Sequence, residues 1–162
     1  MRALLALTVF GGGVAQATVA PALRIGDVLP DLPLIVVVLL ALRRGPEFGC
    51  VAGFVAGLLQ DTAGGGLIGI QALTKALVGF VVGTLGGGLR VTQPLVQVPG
   101  LVVLTIAEGV VRFALLKLFH FEVPFGQLMI YVVIPQALYN GFLGAALVLG
   151  LEWVETYRRR AS

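Results

Sequence analysis

Charge is scarce in this sequence. It has 11 Lys and Arg and 8 Asp and Glu among 162 residues, 12% in all, about half the share a soluble domain uses to cover its surface. With 58% hydrophobic residues and a mean hydropathy of +1.02, this excludes an ordinary water-soluble enzyme or nucleic-acid module. The single cysteine, Cys50, excludes an intrachain disulfide and a Cys-based metal cluster, and the single histidine, His120, supplies no ligand pair. The only serine is Ser162, so no Ser nucleophile lies within the apolar body, and no glycine-rich loop has the P-loop pattern. A membrane aspartyl hydrolase would need two carboxylates sharing a pocket. The nearest pair, Asp27 and Asp31, flanks a Pro-rich turn without evident apolar burial. No Asp/Glu cluster has metal-ligand spacing, so no metal, cofactor or catalytic residue is expected.

What is abundant is apolar sequence, and the few charges divide it. An ionised side chain at the centre of a bilayer costs roughly 2.5 to 3.5 kcal/mol on insertion scales, so charge-sparse runs mark candidate spans. Six result, at 3–23, 29–42, 46–60, 67–89, 95–118 and 125–151, which predicts one all-α transmembrane domain over residues 1–162. The first, with Arg2, an apolar stretch from Leu4 to Phe10 and Ala15-Gln16-Ala17, resembles a signal peptide, but its apolar run continues to Leu23 as a span would. The second and third are shorter than the roughly 20 residues a crossing needs. They are expected to be tilted, partial or shielded by neighbours, with Arg43-Arg44-Gly45-Pro46 as a tight turn between them.

An even number of spans puts both termini on one side. With the termini cytoplasmic, that side holds Arg2, Arg43, Arg44, Arg90, Arg158, Arg159 and Arg160 against Arg24 and Lys117 outside, the distribution the positive-inside rule favours. The basic residues therefore act as topology signals and form no nucleic-acid stripe. Trp153 and the Tyr157-Arg158-Arg159-Arg160 end read as an anchor on an anionic inner leaflet, with a tag for a cytoplasmic partner as the competing reading.

The 23 glycines are not scattered. Gly45, Gly49, Gly53 and Gly57 recur at spacing four and lead to Asp61; Gly79, Gly83 and Gly87 follow Lys75 in the same register; Gly141 and Ala145 lie beside Asn140 and Gly144. Small residues in such rows let helix backbones approach closely in lipid. The rows predict close packing of the third and fourth segments, and spacing alone leaves open whether they also receive a partner's helix.

Lys75, Glu108, Arg112 and Asn140 stand out among the polar side chains within the spans. Glu108 and Arg112 are four apart, an acid N-terminal to a base on one helix face, and are expected to pair. Lys75 is expected to extend outward and bond Asp61, which caps the third segment before a Thr62-Ala63-Gly64-Gly65-Gly66 turn.

At the third and fourth segments, Gly53-Phe54, Gly57, Asp61, then Gly66-Leu67-Ile68-Gly69 and Ala72-Leu73 resemble the signature of the MreD family of rod-shape-determining membrane proteins. Pro30 and Pro33 before the second segment, the basic turn at Arg43 and Arg44, and Pro135 and Asn140 in the last are also similar to family members. The motif covers about 21 residues and the topology covers the chain. The resemblance implies a non-enzymatic scaffold of the bacterial cell-elongation machinery. It would bind MreC and act with MreB, RodA and a class B penicillin-binding transpeptidase in peptidoglycan synthesis at the cytoplasmic membrane. It also implies a fold similar to the substrate-binding subunits of energy-coupling-factor transporters, which gives the alternative of a membrane subunit binding a solute or lipid. It carries over no catalytic or ligand residue.

Overall fold

A computed structural model describes residues 2–24, 28–64, 67–86 and 94–161; for residues 2–8 and 94–98, and for scattered residues from 148 onward, it describes the backbone alone. Gly66, Gly87, Asp27 and Arg90 lie outside the described residues. All regular structure within them is helical: α1 (Arg2–Thr18), α2 (Leu32–Arg44), α3 (Pro46–Gly64), α4 (Ile70–Gly86), α5 (Pro94–Leu118) and a last helix, α6, built of Phe125–Leu128, a π-helical turn Met129–Val133 and Ile134–Ala161. The all-helical expectation is met, and each helix overlaps one of the six expected segments.

The boundaries shift for local reasons. α1 ends at Thr18 rather than Leu23, and residues 19–23 form turns closed by bonds such as Leu23 N to Val19 O. Arg43 and Arg44 belong to α2, and the turn into α3 is made by Gly45 alone, at φ +91°, where a side chain would be strained. α3 runs through Gly64, so the expected turn at Thr62 is helical. The π turn lies just before Pro135, whose missing N–H and ring would conflict with the Tyr131 carbonyl in a regular helix. α5 ends with His120 at φ 62°, where Phe121 N donates to Leu116 O at 2.9 Å in the manner of a Schellman cap.

α2 is the axis of the fold and touches every other helix. It is apolar on all sides from Leu34 to Leu42, as a helix surrounded by others should be, and Leu34, Ile35 and Val37 are fully buried. One apolar cluster joins Leu34, Ile35, Val38 and Ala41 of α2 to Val78 and Val82 of α4 and Leu101 of α5. A second joins Val9 of α1 to Val37, Ala52 and Ala56. Outside this core, large apolar side chains are exposed on every helix but α2, among them Phe10, Val51, Phe54, Phe80, Val103, Ile130 and Phe142.

The glycine rows explain the most extensive helix contact, α3 on α4. A Cβ on Gly49 would run into the Gly79 carbonyl, on Gly53 into the Lys75 carbonyl, and on Gly57 into the Gln71 carbonyl. On Gly79 it would meet Gly49, and on Gly83 the backbone of Pro46 and Gly45. Backbone therefore lies against backbone along the whole interface, and these positions have no room for another helix. The α5–α6 pair uses the device once at each end, with Gly109 against Val133 and Gly144 against Leu101.

Among the described residues one helix, Phe125–Leu147, is long and apolar enough by itself to cross a membrane, and Ile70–Gly86 is a shorter apolar helix.

Candidate functional site

Most of the buried polar groups among the described residues converge at one level of the bundle. Asp31 is the N-cap of α2: its Oδ1 accepts from Leu34 N at 3.0 Å, with Pro33 in the first turn. That leaves Oδ2 for the Lys75 ammonium, 2.8 Å away. Lys75 reaches it from α4, is fully buried, and also donates to Gln71 Oε1 at 2.8 Å. Glu108 of α5 lies 3.6 Å from Lys75 Nζ and is held from the other side by Arg112, through Nε at 3.3 Å and Nη2 at 2.5 Å. The row Asp31, Lys75, Glu108, Arg112 alternates in sign and sums to zero. In a low-dielectric interior, breaking such a pair leaves a charge uncompensated, which is far costlier than the pair is stabilising.

Neutral hydrogen bonds extend the row. Asp31 N donates to Asn140 Oδ1 at 2.8 Å, and Asn140 Nδ2 to Thr105 Oγ at 3.3 Å. Gln136 Nε2 donates to Leu29 O at 2.9 Å and the Tyr139 hydroxyl to Leu23 O at 2.6 Å. From α1, Gln16 Oε1 accepts from Leu32 N at 3.0 Å. Between α1 and α2, the backbone groups of Leu23, Leu29, Asp31 and Leu32 are thus satisfied by side chains from both flanks.

The expected Glu108–Arg112 pair forms, and Asn140 lies among the buried polar groups. Two expectations are corrected. Lys75 does not extend outward to Asp61, because Asp61 is occupied elsewhere: its Oδ2 accepts from Gly69 N at 2.8 Å and Ala72 N at 3.2 Å, and its Oδ1 from Gln71 N at 3.1 Å. Asp61 caps the N-terminus of α4 from the neighbouring helix, where unpaired N–H groups and the helix dipole favour an anion. Gly69, at φ +109°, turns the chain so that its N–H faces this carboxylate. Nor is Asp31 a solvated turn residue, since it is fully buried and is Lys75's closest carboxylate. The sequence signal was present: Asp followed two residues later by Pro, at the head of an apolar helix, is an N-cap pattern. Gln16, Gln71, Thr105, Gln136 and Tyr139 were not foreseen, since single uncharged polar residues carry no pattern of their own.

The remaining motif residues frame this level. Phe54 is 46% and Leu73 50% exposed on the outer faces of α3 and α4, Leu67 is exposed in the connection, and Ala72 is fully buried against Gly57. The motif therefore encodes one joint: two glycines for approach, an aspartate for the cap, and a glycine for the turn.

Charges matched in the centre and apolar side chains outside are the polarity of a helical bundle built for lipid. The sequence pattern of the family described as rod shape-determining protein MreD matches residues 1–160, essentially the whole chain, and the chain belongs to that family of membrane proteins of the shape machinery. Searches of curated proteins and of solved structures found no match.

Proposed function

We propose that this protein is a multi-pass scaffold of the bacterial cytoplasmic membrane that binds MreC and, with it, positions MreB-linked synthesis enzymes, RodA and a class B penicillin-binding transpeptidase. The rod-shape role comes from the family. The scaffold reading rests chiefly on how the interior is filled: the buried charges neutralise one another across α2, α4 and α5. A solute site would hold polar groups in reserve for its ligand, and an enzyme would hold groups poised for chemistry. Here Lys75, Glu108 and Arg112 are engaged with each other, which favours a structural use.

Six crossings with both termini cytoplasmic remain the topology that the basic residues support. The short α2 is compatible with it because α2 is enclosed by its neighbours and meets little lipid. MreC is expected to dock on outward apolar faces, since the α3–α4 rows are filled by each other.

Co-extraction in mild detergent with full-length MreC tests this. MreC is expected to co-purify, and mass spectrometry of the complex is expected to find no stoichiometric small molecule. A folded chain that leaves MreC behind, or that carries a solute without needing a partner, overturns the proposal.

A further inference from the structure

The helices form two bodies of different cohesion. Helices α1 to α4 are tied by the glycine rows and the enclosure of α2, and α5 and α6 form a hairpin that packs mainly on itself. The seam between them is narrow and differs along its length. Toward the end that carries the chain termini it is apolar, with Leu101, Leu104 and Leu143 against Val78, Val82 and α2. Toward the other end it is polar and consists of the Lys75–Glu108 contact and the bonds from Gln136, Tyr139 and Asn140 to the backbone of residues 23, 29 and 31.

Each body is neutral by itself at this level. Asp31 and Lys75, 2.8 Å apart, both belong to the first body, and Glu108 and Arg112, 2.5 Å apart, both belong to the hairpin. Among the described residues, the one ion pair across the seam, Lys75–Glu108, is the longest of the three, at 3.6 Å. Separating the bodies would strand no buried charge, whereas separating either internal pair would. Arg112, with 13% of its side chain exposed, marks where the polar half of the seam begins to open.

We infer that the α5–α6 hairpin tilts as a unit against α1–α4, pivoting on the apolar contact of Leu101 and Leu143 with Val78 and Val82. The bonds of Gln136, Tyr139 and Asn140 to the α1–α2 connection are its latch. A partner bound to either body would then bias this equilibrium, and by linkage the tilt would bias the partner's affinity. This rests on the arrangement of the two bodies and stands whether or not MreC is the partner.

Spin-label distances in nanodiscs test it, with Cys50→Ala as background and exposed label sites at Ile68, Leu118, Val19, Leu85 and Val103. The Ile68–Leu118 pair crosses the seam at the latch end, Leu85–Val103 crosses it at the pivot end, and Ile68–Val19 lies within the first body. The wild-type Ile68–Leu118 distribution is expected to be the broadest. Tyr139→Phe, which removes one hydroxyl, or Tyr139→Phe with Gln136→Leu, is expected to shift it by roughly 2 to 5 Å, the scale of helix displacements at packed interfaces. Ile68–Val19 is expected to stay fixed and Leu85–Val103 to move least across the seam. An Ile68–Leu118 distribution as narrow as Ile68–Val19 in the wild type overturns the inference. So does a change of equal size at both ends of the seam.

Discussion

The α3–α4 interface and the α4–α5 interface solve one problem in opposite ways. In lipid, apolar side chains gain little by meeting one another, so helices need another reason to associate. Between α3 and α4 that reason is proximity: side chains are removed at Gly49, Gly53, Gly57, Gly79 and Gly83, and backbone meets backbone. Between α4 and α5 the reason is divided: Val78 and Val82 meet Leu101 at one end, and at the other Lys75 and Glu108, each already paired within its own body, face one another at 3.6 Å. Close backbone packing tolerates no added atoms and is therefore rigid. Charge pairing tolerates small displacements, because Coulomb energy falls slowly with distance, and it leaves a seam that can move.

The largest effect is expected where the first kind of contact is filled. Gly53→Leu forces a side chain into the Lys75 carbonyl and is expected to cost at least ~3 kcal/mol, the upper range for overpacking, read as loss of the folded species in detergent thermal unfolding. Gly64→Leu, at a helical glycine with open space around it, is expected to change little, so a similar loss at both sites would break the distinction.

Next is the polar side of the comparison. Lys75→Met leaves Asp31 buried without its cation and is expected to cost about 3 to 5 kcal/mol, as for other broken buried pairs, by the same measurement.

Asp61→Asn keeps one carbonyl oxygen to accept from the α4 N-terminus but loses the charge and one acceptor. A loss of about 1 to 2 kcal/mol, the range of an N-cap, is expected. Asp61 and Lys75 do not touch but share Gln71, whose backbone N–H donates to Asp61 and whose Oε1 accepts from Lys75, so combining Asp61→Asn with Lys75→Met is expected to depart from additivity by no more than about 1 kcal/mol.

The smallest expected effect is a gain. His120→Gly removes a left-handed residue's strain at the end of α5 and is expected to stabilise by about 1 kcal/mol, seen as a raised unfolding temperature.

Reading the sequence went furthest where a pattern repeats. The glycine rows announced α3 against α4, the i, i+4 pair announced Glu108 with Arg112, and the charge-sparse runs announced six helices. It went astray at Lys75, because separation along the chain made Asp61 look like the partner. Asp61 instead faces Gly69 and Ala72, at the very start of α4, and Lys75 lies about one turn deeper, at the level of Asp31. Which level a side chain reaches depends on where each helix starts, and α1 stopping at Thr18 and α2 starting at Leu32 set the depth of Asp31. The bonds from Gln136 and Tyr139 depend on the same depth and on a turn of irregular backbone, so nothing periodic revealed them.

The buried charges serve as helix-to-helix fastenings, with Lys75 fastened to Asp31. A double-mutant cycle on unfolding in detergent, with Asp31→Asn, Lys75→Met and both together, tests it most directly. Strong coupling is expected, the double variant losing far less than the two single losses combined, because neither charge is then stranded. Strictly additive losses would contradict it.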